Sequence, residues 1–232
     1  MKALSDCTLY GFVDTAYLHG LAPELVTQQL CDGGADLIQL RAKKSSLAEI
    51  RRMAEAIVPI TRAAGVGFVT NDHLALAQEV GADFCHLGQE DFFGAGCSHV
   101  SELLSAPRQT ESGVALRSSF RAPHSTLCIG LSTHSPEQAR RAMAAGPDYI
   151  AIGPVYATGT KPGVAPVTLE YVRWAAANVA IPWFAIGGIN LQNLDDVLAA
   201  GARRICVVSA ILNAPDVRAA CREFKNRLQV AG

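Results

Sequence analysis

A surplus of either charge is absent from this 232-residue chain: 20 Lys and Arg stand against 21 Asp and Glu, for a formal net charge of −1. Without a strong overall field there is no general attraction to nucleic acid or to an anionic membrane, so any phosphate chemistry must be local. Missing too is any apolar run of the roughly 18 residues needed to span a bilayer. The opening MKALSDCTLY carries neither an apolar h-region nor a small-residue cleavage signature, so the expected location is the cytoplasm rather than the secretory route. The 7 cysteines form no C-x-x-C pair, and no close-spaced ligand cluster suggests zinc. Cys85, Cys128 and Cys206 lie within apolar runs, which suits reduced, buried thiols in a reducing compartment.

What the chain does have is 50% hydrophobic residues, enough for a sizeable core, and a length that allows one large α/β domain or two small ones. One half-unit recurs: a helical stretch, a glycine, a small or polar step, then an apolar run ending in polar residues. It appears as GGADLIQLRAK from Gly33, GADFCHLGQED from Gly81, GPDYIAIGPVY from Gly146 and GARRICVVSAI from Gly201. Glycine after a helix fits a left-handed cap, and a continuous apolar run fits a strand covered on both faces. Alternating with amphipathic helices, such strands predict parallel βαβ units.

The runs place strands near 9–14, 37–41, 67–71, 84–88, 128–132, 149–153, 182–187 and 205–209. Between them, Ser135-Pro136-Glu137-Gln138 reads as a helix start, with serine as cap and proline at the first helical position. Eight such units predict a single-domain α/β (β/α)8 TIM barrel over 1–232. An open doubly wound sheet is the alternative, but no G-x-G-x-x-G turn follows the first strand. Residues 92–127 are the irregular part, expected to be a long loop insertion holding one helical piece, SHVSELLS.

In a parallel barrel all strands exit on one face, where the chemistry sits. Asp72 and Asp91 follow adjacent strands, and neighbouring carboxylates repel unless a cation lies between them. Mg²⁺ suits such a pair, since it takes one or two carboxylates plus phosphate oxygens. Taken singly, Asp72 also reads as the cap of helix HLALAQEVG and Asp91 as a turn residue. Strand alternation points Gln39, Arg41 and Lys43 to one side, and TGTKPG sets Thr158, Thr160 and Lys161 in a glycine-containing loop. This basic, hydroxyl-bearing set facing two acids suits a polyphosphate, and Lys161 reads as part of a closing lid. Gly187 and Gly188, together with the exit VVSAI of the last strand, suit a monophosphate held by backbone N–H groups, or otherwise a tight turn. Ser132 points to the mouth. No acid within the run GLSTH orients His134 and no nucleophile elbow surrounds Ser132, so a hydrolase triad is not supported, and His86 is left open between core and mouth.

QLRAK, ND, HLGQED, GLSTH with Glu137 nearby, DYIAIGPVYATGTK, AIGGI and VVSAI together resemble, in order, the motif run of the thiamine phosphate synthase family, from about Leu9 to Ile211. The resemblance implies a Mg²⁺-dependent transferase in the cytoplasm. It would join 4-amino-2-methyl-5-hydroxymethylpyrimidine pyrophosphate to 4-methyl-5-(2-phosphoethyl)thiazole. It also implies that Asp72 and Asp91 hold the metal, that Arg41, Lys43, Asn71 and Lys161 hold the pyrophosphate, and that Gln39 and Ser132 contact the pyrimidine. Thr158, Thr160, Gly188, Val208 and Ser209 fall at the thiazole phosphate contacts, and Arg41, Lys43, Ser132 and Lys161 carry the catalytic role. Partners would be these small molecules, with no nucleic acid or membrane, and a homo-oligomer is left open.

This chain departs from the family pattern in its long 92–127 segment, in lacking a proline just after QED, and in a first strand that ends YGFVDTAY. The competing readings are a thiazole tautomerase on the same scaffold and a non-catalytic phosphate-binding barrel. The first would be expected to lack part of the set Arg41, Lys43, Asp72, Asp91 and Lys161, and the second to lose the two acids.

Overall fold

The computed structural model describes residues 2–105, 127–160, 163 and 165–230. Among them are eight strands, β1 (Leu9–Asp14), β2 (Leu37–Arg41), β3 (Gly67–Asn71), β4 (Phe84–Leu87), β5 (Cys128–Thr133), β6 (Tyr149–Ile152), β7 (Trp183–Ile186) and β8 (Ile205–Cys206). They pair in parallel and in sequence order, and β1 meets β8 through Leu9–Ile205 and Tyr10–Cys206, so the sheet has no open edge. Around it lie the helices α1 (Pro23–Gly33), α2 (Leu47–Ala64), α3 (Leu74–Val80), α4 (Val100–Ser105), α5 (Pro136–Ala144), α6 (Thr168–Asn178), α7 (Leu194–Ala199), α8 (Ser209–Leu212) and α9 (Val217–Val230). This is the (β/α)8 TIM barrel that the sequence predicts. No helix among the described residues is long and apolar enough to cross a membrane.

The recurring half-unit has a physical explanation at the barrel's lower rim. Gly34 and Gly81 close α1 and α3 in the left-handed conformation, with φ of 90° and 68°. The aspartate two residues further on reaches back to the preceding strand. Asp36 accepts from the Leu9 N–H at 3.0 Å, Asp83 from Phe68 at 2.9 Å and Asp148 from Ile129 at 2.7 Å. Each therefore satisfies a backbone donor where a strand begins, a group that would otherwise be buried and unpaired. Asp36 is also bonded by Lys225 of α9 and by Lys2. At the helix starts, Ser135 accepts from Gln138 N–H at 3.2 Å with Pro136 opening α5, as expected. Ser46 and Glu49 form a reciprocal capping box on α2.

Three expectations are corrected. The last strand ends at Cys206 rather than 209. Val207 still donates to Tyr10 O at 3.0 Å, but Val208 then turns the chain and Ser209 opens α8. Asp72 is not a helix cap, because α3 starts at Leu74 with His73 in the cap position and no side-chain cap. The 92–127 segment is not irregular from its start. Glu90–Gly94 forms a π-helical turn that buries Phe92 completely, and Arg141 covers the Phe93 ring at 3.8 Å; α4, which follows, is the helical piece expected in SHVSELLS. Residues 106–126 lie outside the described residues, and the rest of that expectation with them.

Inside the barrel, aromatic side chains fill the middle. Tyr10 stacks on Phe12 with centroids 5.1 Å apart and meets Phe184 edge-on at 5.4 Å, while Tyr149 meets Phe184 at 5.6 Å. Tyr10 and Phe12 also face the cavity above, so this cluster is its floor.

Candidate active site

A cavity of about 490 Å³ opens where the strands exit, a size that suits a small ligand. Gln39, Arg41, Lys43, Asn71, Asp72, Asp91, Ser132, Thr158, Thr160, Gly188, Val208 and Ser209 all line it. Lys161 lies outside the described residues.

The first half of the cavity belongs to β1–β4. Pleating of β2 turns Gln39 and Arg41 inward, with Lys43 just beyond. The basic residues are not an unpaired cluster. Arg41 donates through Nη1 to Asp14 at 2.6 Å and through Nη2 to the Thr160 carbonyl at 3.1 Å. Lys43 donates to Asp72 at 3.1 Å, and the Asn71 amide bonds the same carboxylate oxygen. The cation beside Asp72 is thus supplied by the chain itself, a pairing that sequence reading did not foresee.

Asp72 has φ of 65°, left-handed for a residue with a Cβ. Such a conformation costs about 1–2 kcal/mol, and aspartate tolerates it better than most residues. The Asp72 N–H still donates to His86 O at 2.9 Å, so β3 stays bonded to β4 while the chain turns sharply. Asp91, in the turn after β4, accepts from the Gly88 N–H at 3.2 Å. A Cβ on Gly88 would lie 2.5 Å from the Asp91 carboxylate, so the glycine makes the room this acid occupies.

Asp72 and Asp91 are two hard oxygen donors that both line the cavity, and no group of three His, Cys, Asp or Glu that could hold a metal occurs among the described residues. That donor set fits Mg²⁺, which fills its octahedron with water and phosphate oxygens rather than with an all-protein cage.

The second half belongs to β6–β8. Thr158 Oγ1 accepts from the Thr160 N–H at 3.2 Å, which shapes the loop after β6. Gly188 has φ of 65°, and a Cβ there would sit 2.7 Å from the Ala157 carbonyl. The loops after β6 and β7 are therefore packed backbone to backbone, with Tyr156 N–H donating to Gly187 O at 3.0 Å and the Asn193 amide to Gly188 O at 2.9 Å.

On the floor, His86 proves to be both a core residue and a cavity residue. Its Nε2 is 2.9 Å from Ser132 Oγ and its Nδ1 is 3.1 Å from Tyr149 Oη. The group behind this Ser–His pair is a phenol rather than a carboxylate, so the arrangement lacks the acid of a hydrolase triad. His134 Nδ1 meets the Gly153 carbonyl, and its N–H donates to Gln138 Oε1 at 2.7 Å.

Sequence reading missed Asp14, Tyr10, Tyr149 and Gln89, whose amide donates to Ser132 O. Asp14 carried a usable signal, being an acid at a strand exit like Asp72. The tyrosines carried none, since an aromatic residue in an apolar run reads as core.

A closed parallel barrel with a basic and acidic wall on one side of its mouth and close-packed, hydroxyl-bearing loops on the other defines a phosphate-handling barrel enzyme. The sequence profile described as thiamine monophosphate synthase matches residues 9–105 and 112–211, and the chain belongs to that family. A thiamine-phosphate synthase of Thermus thermophilus is 43% identical over 203 residues, 87% of each chain. One from Acidothermus cellulolyticus is 39% identical over 235 residues, covering 100% of both. The solved thiamine phosphate pyrophosphorylase of Pyrococcus furiosus superposes with a TM-score of 0.78 at 28% identity, over 97% of this chain and 96% of that one.

Proposed function

We propose that this chain condenses 4-amino-2-methyl-5-hydroxymethylpyrimidine pyrophosphate with 4-methyl-5-(2-phosphoethyl)thiazole, giving thiamine phosphate and pyrophosphate. As a member of its family it is a transferase of thiamine biosynthesis. The observation that supports the substrate assignment is one cavity lined by two unlike sets of groups, each suited to an anion. Arg41, Lys43, Asn71, Asp72 and Asp91 come from the β2–β4 side of its lining, and Thr158, Thr160, Gly188, Val208 and Ser209 from the loops after β6, β7 and β8, the two sets meeting where Arg41 donates to the Thr160 carbonyl.

In this reading the pyrophosphate lies against Arg41, Lys43 and Asn71, and the family resemblance adds Lys161 to that set. Asp72 and Asp91 would hold Mg²⁺, which supplies positive charge to the leaving pyrophosphate. The C–O bond to the pyrimidine methylene breaks with its electrons going to that leaving group, and the thiazole nitrogen then bonds the methylene carbon. Arg41 is held by Asp14 and the Thr160 carbonyl, so its donors are aimed before the substrate arrives and little reorganisation is needed. Gln39 and Ser132 orient the pyrimidine. The monophosphate of the thiazole is held by backbone N–H groups and threonine hydroxyls of the loops after β6 to β8, which sets its nitrogen toward the methylene. Seven free cysteines support a cytoplasmic setting.

The test is to incubate the purified chain with both phosphorylated heterocycles and Mg²⁺ and to assay thiamine phosphate. Absence of product rejects the reading. Full activity in EDTA, or in an Asp72→Ala/Asp91→Ala double variant, keeps the synthase and rejects the metal site. Removing one such charge is expected to cost roughly 10²–10³ in rate.

A further inference from the structure

Beneath the cavity, polar side chains from five strands form one continuous hydrogen-bonded chain. Gln39 Nε2 donates to Tyr10 Oη at 2.7 Å, and Tyr10 Oη lies 3.2 Å from Tyr149 Oη. Tyr149 Oη lies 3.1 Å from His86 Nδ1, and His86 Nε2 lies 2.9 Å from Ser132 Oγ. Both phenols are held well above their ordinary pKa, first by burial, so each keeps its proton.

With Gln39 as donor and every buried hydroxyl proton given an acceptor, proton accounting fixes the remaining directions. A phenol, a serine hydroxyl and a neutral imidazole have one proton each to donate along such a chain. If Gln39 donates to Tyr10, the Tyr10 proton goes to Tyr149 and the Tyr149 proton to His86 Nδ1. His86 must then carry its own proton on Nε2 and give it to Ser132 Oγ, which leaves the serine proton to point at the cavity. Gln39 correspondingly shows its carbonyl oxygen. As long as no buried phenol proton is left without an acceptor, reversing any one bond reverses them all, and both ends change character together.

We propose that Tyr10, Tyr149 and His86 are positioning residues that couple Gln39 to Ser132. The cavity then presents one acceptor and one donor in a fixed pattern, matched to a heteroaromatic ring with an amino group beside a ring nitrogen. The ring assignment rests on the function proposed above; the relay rests on geometry alone.

An independent feature shows that space is reserved for the relay. Gly130 is paired with His86 of β4 on one side and with Tyr149 of β6 on the other. A Cβ on it would lie 2.1 Å from Tyr149 Cζ. The missing side chain lets the Tyr149 ring lie across β5 and stack on His86, with centroids 5.6 Å apart and planes 26° apart.

The test uses the full chain and two readouts. Nitrogen-15 NMR of the histidines should show His86 as the Nε2–H tautomer, and Tyr149→Phe, which removes the donor to Nδ1, should shift it toward a mixture. In turnover, the native protein should prefer the 4-amino pyrimidine pyrophosphate over its 4-oxo analogue, whose donor and acceptor are reversed. Tyr149→Phe and Tyr10→Phe should each reduce that preference by roughly 10–100-fold, the worth of one or two oriented hydrogen bonds. Tyr171→Phe also removes a buried hydroxyl, one that bonds Thr133 at 2.8 Å outside the relay, and should leave the preference unchanged. A native His86 protonated on Nδ1, or an undiminished preference in either relay variant, overturns the proposal. If the native chain makes no thiamine phosphate, the functional reading fails while the NMR result still decides the relay.

Discussion

Asp14→Asn offers the sharpest probe of how the site proposed for the pyrophosphate is built. Asp14 is 1% exposed and its partner Arg41 14%, at 2.6 Å, so water screens this pair little. Removing one partner of a buried pair costs about 3–5 kcal/mol when the other charge is left bare. Asparagine keeps one acceptor oxygen, enough for Arg41 or for the Ala16 N–H, which Asp14 bonds through its other oxygen at 3.0 Å, and Arg41 keeps the Thr160 carbonyl. The expected loss is therefore smaller, about 2 kcal/mol, close to the worth of a hydrogen bond to a charged group. In a chain of this size that lowers Tm by about 4–8 °C. The decisive comparison is calorimetry with and without magnesium pyrophosphate. The uncompensated guanidinium should draw more from the anion than the native pair does, so pyrophosphate should raise Tm further in Asp14→Asn than in the native protein. In an Arg41→Gln background, Asp14→Asn should cost little, because the interaction being removed is already gone. Unchanged Tm, or equal pyrophosphate shifts in both proteins, refutes the view that Asp14 acts by holding Arg41.

Three further outcomes are expected. Burial alone would raise the Asp36 carboxyl, but Lys2, Lys225 and the Leu9 and Thr8 N–H groups outweigh it and hold the pKa below its ordinary value. The stability this confers is complete above the unfolded value of about 3.9 and is lost as pH falls from there through the lower folded value, so Tm should drop more steeply below pH ~4 in the native protein than in Asp36→Asn; parallel curves refute this. Gly188→Ala puts a side chain at φ of 65° and 2.7 Å from the Ala157 carbonyl, and should raise KM for the thiazole phosphate while leaving KM for the pyrimidine pyrophosphate near native in steady-state assays. Burial pushes the thiols of Cys7, Cys31 and Cys128 up to about 11 and those of Cys85 and Cys221 to about 12, and since the thiolate is the reactive form, mass spectrometry should find these five unmodified by iodoacetamide at pH ~8 until urea is added.

The barrel was legible because its strands are covered on both faces, and continuous apolar runs bounded by glycine leave few other readings. Strand ends were less so. VVSAI continues apolar past Cys206, and only the turn at Val208 ends the pairing. At the site, alternation along β2 identified Gln39, Arg41 and Lys43, since orientation in a strand follows from local order. Their partners did not follow, because Asp14 and Asp72 lie 27 and 29 residues away from the basic groups they bond. Tyr10 and Tyr149 are 139 residues apart. Only barrel closure brings them together, and periodicity carries no information on that contact.

The pairings the sequence hid bear on how the site proposed for the pyrophosphate works. Lys43 and Arg41 already have carboxylate partners, so an anion arriving alone must compete with Asp72 and Asp14 for them. Lys43 and Asp72 are 50% and 23% exposed, which makes theirs a weak contact, whereas the buried Arg41–Asp14 pair holds. A divalent cation taken up by Asp72 would release Lys43 to the phosphate, and a phosphate on Lys43 would release Asp72 to the cation. The two ligands therefore exchange partners with one pair instead of each stranding a charge, and linkage requires the help to be mutual. Isothermal titration of pyrophosphate should accordingly show tighter binding with Mg²⁺ than without. Replacing Lys43 by methionine should shrink that difference, because Asp72 then has no ammonium to give up; an undiminished difference would place the coupling elsewhere.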